Sequence, residues 1–114
     1  MRRPASTTAQ PTRAIAPRLR RLPQADVLGL RVPVARDPLA RLLGLAGLPR
    51  ERAGAGLLLP RCRSIHTAGM RFALDVYFLG ESGEVIRLER GVGPMRMLSE
   101  RHACAVIEVP SRPP

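Results

Sequence analysis

Leu74-Asp75-Val76-Tyr77-Phe78-Leu79-Gly80-Glu81-Ser82-Gly83-Glu84-Val85-Ile86-Arg87-Leu88-Glu89-Arg90 is the stretch that decides the fold. A β-favouring run from Leu74 to Leu79 is broken by Gly80-Glu81-Ser82-Gly83 and resumes from Glu84 to Arg90. Such a pattern predicts an antiparallel hairpin with a loop of about four residues. On the outgoing strand Leu74, Val76 and Phe78 share the core side, while Asp75 and Tyr77 take the other. On the return Ile86 and Leu88 face one way and Val85, Arg87 and Glu89 the other, which reads as one buried and one solvated face.

Working outward, Gly91 to Pro94 is a turn and Cys104 to Val109 a last strand ended by Pro110. Upstream, Leu57-Leu58-Leu59 is a short buried strand stopped by Pro60. Arg61 to Thr67 reads as another, with Ser64 and His66 on one face and Ile65 on the other; Gly69 permits a kink after it. Arg50 to Gly56 is a loop. Asp37-Pro38 is an N-cap followed by proline at the first helical position, and it opens a short helix carrying Leu39, Leu42 and Leu43 before Gly44 and Gly47. Val27 to Val34 reads as one strand, with Pro33 favouring an edge. The expected fold is α+β and mostly antiparallel β, a small curled sheet or barrel-like structure with one short helix.

The 114 residues suffice for one domain. Residues 1–25, with four prolines, several arginines and no apolar period, read as a disordered Arg/Pro-rich leader; 26–110 as the single compact domain; 111–114 as a disordered tail. The net charge is +10, and all 19 basic residues are arginine. Six of them lie in residues 1–26, so the domain itself is only mildly basic. Aromatics make up 3% of the chain and Trp is absent, which leaves almost no surface for stacking single-stranded bases. No apolar run is long enough to span a membrane, and no apolar segment follows Arg2-Arg3 as a secretory signal would require. Cys62 and Cys104, with no CxxC, read as free thiols in a reducing compartment.

The chemistry-bearing residues are concentrated between Cys62 and Asp75. His66 and Asp75 are the residue types of an imidazole–carboxylate pair, and we expect them to share a concave surface at the mouth of the sheet. Asp75 as a turn cap and His66 as a half-buried polar residue is the plainer reading. Cys62, His66 and Met70 are soft ligands at i, i+4 and i+8, but in an extended strand they spread over about 26 Å. One ion would need a bend at Ala68-Gly69, or help from Cys104 and His102. Cys62 beside His66 is also a nucleophile–base pair, with Arg61 and Arg63 placed to favour the thiolate. Glu108, between Ile107 and Val109, points outward by simple alternation.

The same segments carry a family resemblance. Arg41-Leu42-Leu43-Gly44-Leu45, Gly56-Leu57-Leu58-Leu59, Ile65-His66-Thr67 with Met70-Arg71, Leu74-Asp75-Val76, the hairpin from Phe78 to Ile86, and Val106-Ile107-Glu108-Val109-Pro110 follow one another as in the domain of unknown function 192 family of prokaryotic proteins. Ala73 departs from the proline usual there, and many members continue beyond the equivalent of Pro110. The resemblance implies a mostly β, barrel-like fold, in which Glu108 would instead point at a cleft near His66, and no assigned reaction. The expected function is a cytoplasmic binding or accessory module with a shallow polar pocket, its candidates being His66, Thr67, Met70, Asp75, Cys62 and Glu108. No cofactor, metal or membrane partner is expected; the partner is left open, with a small molecule or a protein as the candidates. Two alternatives stand beside it: weak, sequence-independent nucleic-acid binding through the leader, and a thiol/His-dependent enzyme.

Overall fold

The computed structural model describes residues 15–112. Strands β1 (Gln24–Val27) and β2 (Leu30–Pro33) form one hairpin. Strands β3 (Leu57–Pro60), β5 (Leu74–Leu79), β6 (Val85–Val92) and β8 (Ala105–Pro110) form an antiparallel sheet of order β3-β8-β5-β6, and β4 (Ser64–His66) pairs with β7 (Met97–Ser99) in a separate ribbon. Among the described residues, two short helices, α1 (Pro17–Arg20) and α2 (Pro38–Leu43), and a 3₁₀ turn at Arg50–Arg52 complete the elements. The α+β expectation is met; the sheets are open, so the barrel-like alternative is not adopted.

The central hairpin forms where the sequence predicts it, but β6 is an edge strand and is not cleanly two-faced. Arg87 and Glu89 lie opposite Phe78 and Val76, with the Arg87 guanidinium 5.3 Å above the Phe78 ring, while Ile86 stays 40% exposed. The charged stems cover the edge of the core, and among the described residues no layer covers Ile86. The expected single strand from Val27 to Val34 is instead the β1–β2 hairpin. Leu28 and Gly29 both have positive φ, 52° and 75°, the backbone of a two-residue turn matched to strand twist.

The packed domain begins earlier than residue 26. Ala16 and Leu19 are 4% and 2% exposed within the main core, and the Ala16 N–H donates to the Arg52 carbonyl at 2.9 Å. Isolated apolar residues among arginines and prolines gave no period to read. Residues 1–14 of the expected leader, and 113–114 of the expected tail, lie outside the described residues. Ser111 is not loose: its N–H donates to the Ala73 carbonyl at 2.9 Å, and its side chain is buried.

Sheet register fixes what each face sees. Opposite Val106 stand Leu59 and Phe78, and opposite Glu108 stand Leu57 and Val76. This is the core face, shared with Leu45, Cys62, Ile65, Met70 and Leu98. Ile107 and Val109 lie on the other face with Tyr77 and Asp75. There Leu28 and Leu30 of the first hairpin share a groove with Tyr77 and Val109.

Candidate functional site

Alternation along β8 turns Glu108 inward, onto the core face of a central strand. Gly56 secures that position, because a Cβ there would stand 2.8 Å from the Glu108 carbonyl. Glu108 is 5% exposed, and no donor among the described residues reaches its carboxylate. Burial in apolar surroundings pushes its pKa from the ordinary 4.5 up to about 7.

Above it lies a cavity of about 90 Å³ lined by residues of α2 and the following turn, the end of β3, and the segment around β4. Leu45, Leu59, Cys62, Ile65 and Met70 supply apolar walls, and His66 and Ala68, both exposed, mark its mouth. The helix was predicted from its cap, and the cap is present: the Ala40 N–H donates to Asp37 at 2.8 Å. Its leucines do not enter the core, however. Leu39 and Leu42 are 63% and 65% exposed, and Leu42 and Leu43 stand at the cavity rim. Two arginines hold this rim by its backbone. Arg18 donates to the Gly44 and Ala46 carbonyls at 3.1 and 2.6 Å, and Arg41 donates to the Pro60 and Arg61 carbonyls.

Of the six residues singled out in the sequence, Cys62, His66, Met70 and Glu108 line this one cavity. Gly69, at φ +80°, supplies the reversal that brings Met70 back to it. Thr67 is completely buried and serves the backbone: its hydroxyl donates to the Gly93 carbonyl and accepts the Arg96 N–H, both at 2.8 Å, which ties β4 to the approach of β7. Asp75 is on the opposite face of the sheet, in a separate groove of about 630 Å³. It accepts the Gly91 N–H at 2.9 Å and the Ser111 hydroxyl at 2.6 Å. The expected meeting of His66 with Asp75 is therefore not made. The apolar set of β5 took the core as predicted, and that sends Asp75 through the sheet, away from the cavity; Glu108 is the carboxylate that shares the cavity with His66.

The surroundings of Cys62 do not favour the thiolate that the nucleophile reading needs. Cys62 is buried, its thiol donates to the Ser64 carbonyl at 3.1 Å, and burial pushes the thiol pKa up. Arg41, not Arg61 or Arg63, is the arginine felt at the sulfur, and it does not outweigh the burial. Among the described residues no group of three or more His, Cys, Asp and Glu side chains is placed to hold a metal ion. Sequence reading missed Arg41, Leu42, Leu43 and Leu45 as lining residues. The available signal was the Arg41 to Leu45 motif, which occurs beside the other motifs but carries no obvious chemistry.

The sequence model of DUF192, described as an uncharacterized ACR, matches residues 21–112. Two solved structures share the fold. One is a protein of unknown function from Novosphingobium aromaticivorans, 18% identical, with a TM-score of 0.57 over 80% of this chain and 83% of that one. The other, described as a candidate transcription regulator from Sinorhizobium meliloti, is 18% identical with a TM-score of 0.59 over 77% and 78%. No curated protein matches the chain.

Proposed function

The chain belongs to the DUF192 family, and from that premise we propose that it is a small binding module whose site is the cavity floored by Glu108 and opened at His66 and Ala68. The observation that carries this reading is a nearly buried carboxyl group with no protein donor among the described residues, aimed into a cavity that reaches the surface. A buried carboxyl group without a partner costs the native state several kcal/mol or a shifted pKa. A leucine at position 108 would complete the apolar face formed by Leu57, Val76 and Val106. Keeping an acid there fits a group that meets something other than the protein. Exposed Leu42 and Leu43 at the rim favour a ligand with an apolar body, whether a free molecule or a side chain of a partner protein.

Among the described residues no helix is long and apolar enough to cross a membrane. Cys62 and Cys104 are free thiols, which fits the cytoplasm, where we place the protein.

The test is a small-molecule screen on the full chain, read by amide chemical shifts. A ligand of this site moves Leu45, Ile65, Met70 and Glu108 in the wild type and loses that effect in Ala68→Phe, where a bulky ring covers the mouth. If no compound moves those signals, or if every hit binds Ala68→Phe equally well, the cavity is not a binding site.

A further inference from the structure

We propose that the cavity takes an unbranched organic cation, an ammonium or guanidinium head on a short apolar stem, with the head held on Glu108. This rests on the binding-module reading and names the ligand class.

Among the described residues one side-chain acceptor is free at the floor of the cavity, while the His66 ring stands at its mouth. The Ser64 hydroxyl lies 2.9 Å from that of Ser99, the Cys62 thiol donates to the Ser64 carbonyl, and Arg41 is spread over the Pro60 and Arg61 carbonyls. Only acceptor oxygens remain at the floor, those of Glu108. With Glu108 ionised, as at pH 8, an anion would be repelled and a neutral alcohol would leave the buried charge uncompensated. A cation lets Glu108 stay ionised in an apolar setting, because the two charges are desolvated together.

Size restricts the class further. About 90 Å³ is well below the ~150 Å³ of an engineered cavity that admits benzene. A head group with a few methylenes therefore suits the cavity better than an aromatic ring. Leu45, Leu59, Ile65 and Met70 line the path of the stem. Gly44 keeps the carboxylate approachable: even a Cβ at that position would lie in van der Waals contact, 3.7 Å from Glu108 Oε1, and a larger side chain would cover it. The other charged or titratable groups lining the cavity are Arg41 from α2 and Cys62 and His66 from the β4 segment. Arg41 is turned onto backbone carbonyls and makes no ion pair with Glu108 among the described residues.

The experiment measures amide shifts of the full chain at pH 8 with butylammonium and butylguanidinium, with blocked Leu-Lys-Leu and Leu-Arg-Leu peptides, and with 1-butanol and butyrate as neutral and anionic matches. The expected result is saturable movement of the Leu45, Ile65 and Met70 signals by the cations, with at least tenfold tighter binding than 1-butanol. In Glu108→Gln that advantage disappears, and in Ala68→Phe, which keeps the carboxylate, all cavity binding is lost. Tighter binding of the peptides assigns the cation to a partner chain, and tighter binding of the free alkyl cations assigns it to a small molecule; either supports the proposal. Equal or better binding of 1-butanol or butyrate overturns the cation class and leaves the cavity a binding site. If no probe moves a cavity signal, both the class and the site are overturned.

Discussion

Glu108→Gln should flatten the pH dependence of stability. In the unfolded chain the carboxyl ionises near 4.5, and in the folded protein near 7. Below 4.5 both states hold the proton and the native state bears no charge penalty. Between the two values the unfolded chain releases a proton that the native state keeps, so stability falls as pH rises. Each pH unit in that window costs about 1.4 kcal/mol, and above 7 the loss levels off at about 3 kcal/mol. The sense is opposite to that of an ordinary salt-bridged carboxylate, whose contribution is lost on acidification. Urea unfolding of wild type and Glu108→Gln at half-unit steps from pH 4.5 to 8 isolates the effect, because all other titrating groups are common to both. The wild type should lose about 3 kcal/mol relative to the variant across that range, and Glu108→Leu should exceed the wild type in stability at pH 8. Parallel curves for wild type and Glu108→Gln would refute the reasoning, since they would mean that folding leaves the proton affinity of Glu108 unchanged.

Three further outcomes are expected. Thr67→Val keeps shape but strands the Gly93 carbonyl and the Arg96 N–H, and should cost about 2 kcal/mol in denaturant unfolding; a loss under about 0.5 kcal/mol would show that those bonds are replaceable. Alkylation followed by mass spectrometry should modify the exposed Cys104 quickly and the buried Cys62 only as fast as the domain opens; equal rates would contradict the packing around Cys62. Asp75→Ala should cost about 1–2 kcal/mol through the Gly91 N–H and Ser111 hydroxyl it leaves behind, while the ring signals of His66 stay where they are; a displaced His66 signal would restore the pairing that the sheet geometry denies.

Much of the frame is written locally. The hairpin from Leu74 to Arg90 and the Asp37-Pro38 helix start are legible because turn and cap residues act within a few positions. The site is legible only in its membership. Cys62, His66, Met70 and Glu108 stand out as residue types, but their convergence depends on Gly69 reversing the chain and on β8 lying between β3 and β5. The side that Glu108 faces cannot be read from Val106 to Val109, because both faces of this central strand are buried and Ile107 is as apolar as Val106. The expected pairing of His66 with Asp75 rests on a reversal at Gly69 that returns His66 beside the entrance of the strand starting near Leu74. Alternation along β5 then decided against it, since Leu74, Val76 and Phe78 outweigh Asp75 in the competition for the core. Likewise Leu39, Leu42 and Leu43 have helical spacing but too short a helix to set its rotation. The Arg18 and Arg41 bonds to backbone carbonyls, distant in sequence, hold the rim in place.

The strand order also has a temporal side. β3 and the β5–β6 hairpin never touch as neighbours in the ladder; β8, the last strand, lies between them. During synthesis the hairpin can close as soon as Val92 is free, since its contacts are local. Leu57 to Pro60 must wait, unpaired along the edge that β8 will fill, until Ala105 to Pro110 has left the ribosome. The central sheet is thus sealed in one late, long-range event that also installs Glu108, the kind of closure whose loop entropy slows folding. A chain halted anywhere before β8 exposes an apolar strand edge and carries no site.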